Sequence, residues 1–211
     1  MGMRAQKCII IMLTLVTFLV GCSRQPQKVT IGGAVIDMSN IDSDRKVFRQ
    51  ASDRWHASKR AATDPDTVEN AKIISAIAEK NFRKPLNLMG SHYATMALKS
   101  PFGSDEQKYN YFLSRGVFVR AAMLGDHYSM RTLCVSYGIA GEINEFESAV
   151  WAYVSLEFGT GGDMYLGEMA SNAISRLKPE QKDLARRRAD SLNIEIRKNK
   201  AVYDQLIGTD F

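Results

Sequence analysis

Histidine, cysteine and strand-like runs are scarce in this 211-residue chain, and the scarcities exclude several classes of function. The three histidines (His56, His92 and His127) have no acidic or thiol partners at ligand spacing, so no local motif holds a metal. There is no G-x-S-x-G elbow, no H-E-x-x-H pair, no P-loop and no dinucleotide fingerprint. Glu145 and Glu147 straddle Phe146, so on a helix they point to different sides and make no catalytic carboxylate pair. Gly159-Thr160-Gly161-Gly162-Asp163 is glycine-rich ahead of a helix, but no strand precedes it, and it reads as a turn rather than an anion cradle. The net charge is only +5, without a long basic stripe interleaved with aromatics, which argues against nucleic acid as a partner. The densest basic run, Arg186-Arg187-Arg188, lies between Asp183 and Asp190 and reads as the wet face of a helix. The expectation is a protein that is not an enzyme and needs no cofactor and no metal.

Charge is also missing from the whole stretch between Lys7 and Arg24. Arg4 and Lys7 precede an apolar run from Cys8 to Val20, which is too short to span a bilayer as a helix. Small Gly21 then sits where a signal peptidase cuts. The string Leu19-Val20-Gly21-Cys22 resembles the lipobox of bacterial lipoproteins. That resemblance implies a signal peptide over 1–21, cleavage between Gly21 and Cys22, and lipidation of the Cys22 thiol and then of the new amine. Two or three acyl chains suffice for stable anchoring without a transmembrane helix. Ser23, rather than Asp, follows the cysteine, which in enterobacterial lipoproteins implies the outer membrane, with the domain facing the periplasm.

Loss of residues 1–21 leaves 190, enough for one domain. Arg4 and Lys7 leave with them, so 26 basic residues face 23 acidic ones and the net charge falls to +3. Cys8 departs and Cys22 is consumed by lipid, so Cys134 is the remaining thiol and has no partner for a disulfide within the domain. Its apolar helical surroundings (Leu133, Val135, Tyr137) read as those of a small buried hydrophobe. Residues 22–42 read as a lipidated flexible tether. A short strand over Val29–Ile36 would need a partner, and the rest of the chain offers few strand-like runs.

From Ser43 onward the chain is almost entirely helical in pattern. Val47, Ala51 and Trp55 mark one stripe of a helix running to about Ala62. After Asp64-Pro65-Asp66, a second helix faces inward through Val68, Ala71, Ile74, Ile77 or Ala78, and Phe82, and stops at Pro85. Further helices are expected over about 87–99, 105–123, 126–137, 144–158, 163–177 and 179–198, separated by Gly- and Pro-bearing breaks.

Met89-Gly90-Ser91-His92-Tyr93 and Leu124-Gly125-Asp126-His127-Tyr128 repeat at an offset of 35, a period typical of helix-pair solenoids. Residues 121–159 resemble the Sel-one-like repeat, a relative of the tetratricopeptide repeat. The matching positions are Ala121, Ala122, Gly125, Leu133, Tyr137, Gly138, Gly141, Ala149, Trp151 and Gly159, with Gly90 matching in the preceding unit. The resemblance implies an all-α domain over 43–211, a short right-handed solenoid of antiparallel helix pairs closed by a terminal capping helix. Side chains between the packing positions are the candidates for contact with a protein partner: Tyr109, Tyr111, Arg115, Arg120, His127, Arg131 and Tyr153. Small lipoproteins with such helices resemble immunity proteins that neutralise periplasm-acting type VI secretion effectors, notably phospholipases, by stoichiometric occlusion. The alternative is a scaffold or accessory lipoprotein of a secretion or cell-wall complex.

Overall fold

The computed structural model describes residues 27–57, 65–139, 143–159, 164–209 and 211, so the signal sequence, Gly21, Cys22 and Gly141 lie outside the described residues. Those described are mostly helical. They form a hairpin of β1 (Lys28–Ile31) and β2 (Ala34–Asp37), followed by α1 (Ile41–Ala57), α2 (Pro65–Ala78), α3 (Arg83–Lys99) and α4 (Asp105–Met123). Then come α5 (His127–Ile139), α6 (Glu145–Glu157), α7 (Met164–Ser175) and α8 (Pro179–Leu206).

The hairpin corrects the tether. Residues 28–42 are ordered structure, with Ile31, Ile36 and Met38 buried in a core and α1 already under way at Ile41. The partner that a strand over Val29–Ile36 needs is inside that same stretch. Gly32 and Gly33 both take positive φ (58° and 77°), the geometry of a two-residue turn that suits the strand twist, so Ile31 pairs with Ala34 and Lys28 with Asp37. An isolated hairpin is marginal. This one is fastened by Asn81, whose side-chain amide donates to the Val35 carbonyl at 2.9 Å, and by its packing on α8.

The first two helices bury different stripes from those expected. In α1 the buried residues are Phe48, Ala51 and Trp55, while Val47 is exposed. In α2, Thr67, Asn70, Ile74, Ile77 and Ala78 face inward and Val68 faces solvent. Pro85 does not stop α2. That helix is followed by Asn81 at φ 63°, and Pro85 sits in the first turn of α3, where its missing N–H leaves no helical bond unmade. α4 begins where expected because Ser104 caps it, its hydroxyl accepting from the Gln107 N–H at 3.1 Å.

Neighbouring helices in the chain pack on one another from α1 through α7. Two apolar cores result. The first gathers the hairpin, α1, α2, the start of α3 and the chain beyond Tyr203; the second gathers α5, α6, α7 and the first part of α8. α4 feeds both, through Ala121 into the first and Phe118 and Ala122 into the second.

The last helix runs eight residues beyond the expected 198 and is more than a cap. Its buried face (Ala185, Ala189, Asn193, Ile196, Asn199, Tyr203) recurs every three or four residues along its length. It lies along α6, where Arg188 meets Glu147 at 2.8 Å and Arg197 meets Glu157 at 2.9 Å. It then continues to the first core, where Tyr203, Ile207 and Phe211 are buried. Phe211 lies against the rings of Phe82 and Phe48, at 4.3 and 5.7 Å between centroids, and its carbonyl accepts from the Lys84 N–H. Burying rings such as Tyr203 and Phe211 contributes roughly 2–3 kcal/mol each, which ties the last helix to the first.

Candidate functional site

Several of the residues expected to pack in the Sel-one-like pattern are buried, whereas Gly159 is exposed. Ala121, Ala122, Leu133 and Ala149 have no exposed surface and Trp151 is buried. Gly138 lies within α5 where a Cβ would come 2.9 Å from the Ser148 hydroxyl, which itself donates to the Cys134 carbonyl at 2.7 Å. Tyr137 is half-buried beside them, and Gly159 follows α6 at φ 63°.

The five-residue repeat, by contrast, does not mark equivalent positions. Gly125 stands in the turn between α4 and α5 at φ 90°, against the aliphatic stem of Lys200. Gly90 is inside α3, where a Cβ would lie 2.8 Å from the Phe118 ring. One glycine serves a left-handed turn and the other a close helix approach. His92 is therefore mid-helix and half-buried near Trp55, with ring centroids 6.2 Å apart, whereas His127 is exposed at the start of α5, edge-on to Phe158 at 5.6 Å. Burial, reinforced by Lys99, holds His92 below the usual imidazole value; burial and Lys200 do the same to His127.

Most of the side chains expected to contact a partner are engaged within the fold. Arg115 lies over the Tyr137 ring at 4.6 Å and donates to the Ser136 carbonyl at 2.6 Å and the Ser136 hydroxyl at 3.1 Å, joining α4 to α5. Arg120 donates to the Asn81 side chain and to the Ala78 carbonyl, joining α4 to the end of α2. Within the fold these arginines join α4 to the last turn of α5 and to the turn that follows α2, and Arg120 remains exposed. Tyr111 and Arg131 are half-buried, and Tyr153 packs against the second core. Tyr109 and His127 are openly displayed.

A groove of about 500 Å³ opens between α1, α3 and the α4–α5 turn. Arg49 and Asp53, one turn apart on α1, face Lys84 and Asn87 of α3, with Phe48 and Leu88 beneath and Tyr128 at the end. Asp126 fixes one side: a single carboxylate oxygen accepts from the Ser129 N–H (2.8 Å), the Ser129 hydroxyl (2.6 Å) and the Asn87 amide (2.6 Å). That set caps α5 and positions α3 against it. The walls thus carry both signs of charge on fixed helices, over an apolar floor. Arg49, Asp53 and Lys84 do not stand out in the sequence, and Tyr128 does so only as the end of a repeated string, because the groove brings together segments up to 80 residues apart.

A second, smaller cleft of about 130 Å³ is lined by Cys134, Gly138, Ser148, Asn172 and Arg176. Burial pushes the Cys134 thiol up to about 11, the Ser148 contact only partly opposing it, so at neutral pH the sulfur is a protonated, weakly nucleophilic thiol. Among the described residues no group of three His, Cys, Asp or Glu side chains is placed to hold a metal ion, and no helix is long and apolar enough to cross a membrane. Compared with family models, curated proteins and solved structures, the chain matches none.

Proposed function

We propose that the chain is a lipid-anchored binding protein of the outer membrane whose periplasmic domain neutralises a periplasm-acting toxin, such as a type VI secretion phospholipase effector, by stoichiometric occlusion. The groove between α1, α3 and the α4–α5 turn carries this reading. It is open and lined by helices with charges of both signs around an apolar floor, which suits a protruding segment of a folded protein. The domain is a short right-handed solenoid of antiparallel helix pairs. Support comes from hydrogen bonds that climb one helix as they descend the next: Gln107 to Ala97 and Ser114 to Gly90 between α3 and α4, and Ser148 to Cys134 beyond the Asn144–Tyr137 bond between α5 and α6.

The test is co-purification of the anchored protein with the product of a neighbouring toxin gene, alongside survival of cells challenged by toxin-delivering siblings. Deletion of this gene should cost survival, and a variant with Arg49→Glu and Lys84→Glu should lose the complex. Unchanged survival on deletion, with capture of secretion or cell-wall components instead, overturns the immunity reading in favour of a scaffold.

A further inference from the structure

α4 is apolar on two faces. Its inward face packs through Phe118, Ala121 and Ala122. At 100° per residue, Tyr109, Phe112, Gly116, Val119 and Met123 fall within an arc of roughly 80° on the other side. Tyr109 is 61% and Phe112 71% exposed, and a Cβ on Gly116 would meet nothing within 4 Å. Val119 and Met123 form one wall of a groove of about 450 Å³ whose other wall is the hairpin turn, Ile31 to Val35. Phe102, in the loop before α4, is 100% exposed. The apolar strip runs about 21 Å along α4 from Tyr109 to Met123 at 1.5 Å per residue, ending at the hairpin in half-buried Val119 and Met123, where Arg120 and Asn81 also line the groove. A helix apolar on both faces is normally covered on both, and monomers rarely leave a contiguous apolar patch open without a use for it.

We propose that the covering surface is the bilayer: the outer face of α4 rests in the headgroup region of the membrane that holds the Cys22 acyl chains. This rests on the lipoprotein reading. Gln27 is only five residues beyond Cys22, and five extended residues span at most about 18 Å. An acylated Cys22 thus keeps the hairpin, which is one wall of the strip's groove, within that distance of the lipid. A patch tethered so closely meets the bilayer at a far higher effective concentration than any freely diffusing protein. The side chains suit the interface. Phe102 and Phe112 supply apolar insertion, Tyr109 presents a ring with a polar tip, and exposed Lys108, 3.6 Å from Asp105, offers an ammonium group beside them for headgroup phosphates.

The experiment uses the full chain in its own envelope. A benzoyl-phenylalanine photoprobe replaces Phe112 in one protein and Leu184, exposed on α8, in another, and fatty-acid labelling of Cys22 is measured in both. After illumination, mass spectrometry reads what is attached to the probe-bearing peptide. Phospholipid adducts roughly tenfold more abundant at 112 than at 184 are expected for a face lying on the membrane. With Cys22 labelled, protein adducts at 112, equal lipid adducts at both positions, or no lipid adduct at 112 overturns the docking alone. Absence of label on Cys22 overturns the lipoprotein reading, and the docking with it.

Discussion

The Arg83 guanidinium meets the Asp204 carboxylate at 2.9 Å across 121 residues of chain, joining the first turn of α3 to the last turns of α8. The same buried guanidinium donates to the Leu124 carbonyl at 3.2 Å and the Thr209 carbonyl at 3.1 Å, and lies over the Tyr203 ring at 4.8 Å. The Arg83 N–H donates to the Tyr203 hydroxyl at 2.9 Å. One residue thus joins the carbonyl beyond α4 to three residues of the C-terminal segment, Tyr203, Asp204 and Thr209. Arg83→Met should destabilise the domain by about 3 kcal/mol, because it strands buried acceptors as well as removing the ion pair. Urea unfolding checks it, and a change within 0.5 kcal/mol would mean that the guanidinium is dispensable to the α8 closure.

The same cluster sets a pH dependence. Burial alone would raise the Asp204 carboxyl, but the Lys200 hydrogen bond and the charge and hydrogen bond of Arg83 outweigh it and hold the group below its usual value. A carboxyl depressed in the folded state stabilises it above the unfolded value of about 3.9, and that contribution is lost as pH falls through the folded value. Stability should therefore decline below about pH 4, and Asp204→Asn should flatten that part of the profile while lowering stability at neutral pH. Parallel acid profiles for the two proteins would remove Asp204 from the account.

Three glycines in or beside α3 and α4 should respond differently to an added methyl. Gly90→Ala forces the Phe118 ring to move and should cost about 1–3 kcal/mol through overpacking. Gly125→Ala, at φ 90° against Lys200, should cost a similar roughly 1–3 kcal/mol through backbone strain and displacement. Gly116→Ala is in a helix interior with open space and should stabilise by about 0.5–1 kcal/mol. Melting temperatures of the three variants decide the matter, and a uniform response would contradict the packing described.

These glycines also show how far the sequence could be read. Where a local signal determines the structure, as with Ser104 ahead of α4 or Pro179 opening α8, the expected starts agree with those observed. The shared glycine in the two five-residue strings stands for two backbone states, helical at Gly90 and left-handed at Gly125, and composition alone cannot separate them. Val29–Ile36 reads in sequence as at most one strand in want of a partner, whereas Gly32-Gly33 divides it into two strands that pair with each other. Arg115 and Arg120 read in sequence as display residues because their acceptors, Ser136 in α5 and Asn81 in the turn after α2, are distant in the chain. The groove is tertiary for the same reason: nothing local relates Arg49 to Lys84 or Tyr128.

Cys134 should report on unfolding rather than on chemistry. The sulfur is buried, protonated at neutral pH and set between α5 and α6. Alkylation of Cys134 by iodoacetamide should be negligible in buffer and should rise with urea in step with the loss of helical signal. Modification in buffer at the rate of a free thiol would show that the cleft beside Cys134 opens in the native state.

Charge changes in the groove and at the α4–α5 contact should separate binding from folding. Arg49 and Lys84 are exposed, and Lys84 is in the first turn of α3, where an acidic side chain is favoured by the helix dipole. Arg49→Glu with Lys84→Glu should therefore leave stability within about 0.5 kcal/mol of the parent while removing the positive wall offered to a partner. Arg115→Ala should do the reverse, losing about 1–2 kcal/mol with the Ser136 bonds and the stacking on Tyr137, while leaving the groove's charges in place. Affinity for the proposed toxin partner, measured by calorimetry at a temperature where both variants are folded, should fall at least tenfold for the groove pair and less than twofold for Arg115→Ala, a tenfold loss being about 1.4 kcal/mol. If the groove pair binds as the parent does and Arg115→Ala does not, the partner reads the α4–α5 face and the groove has another use.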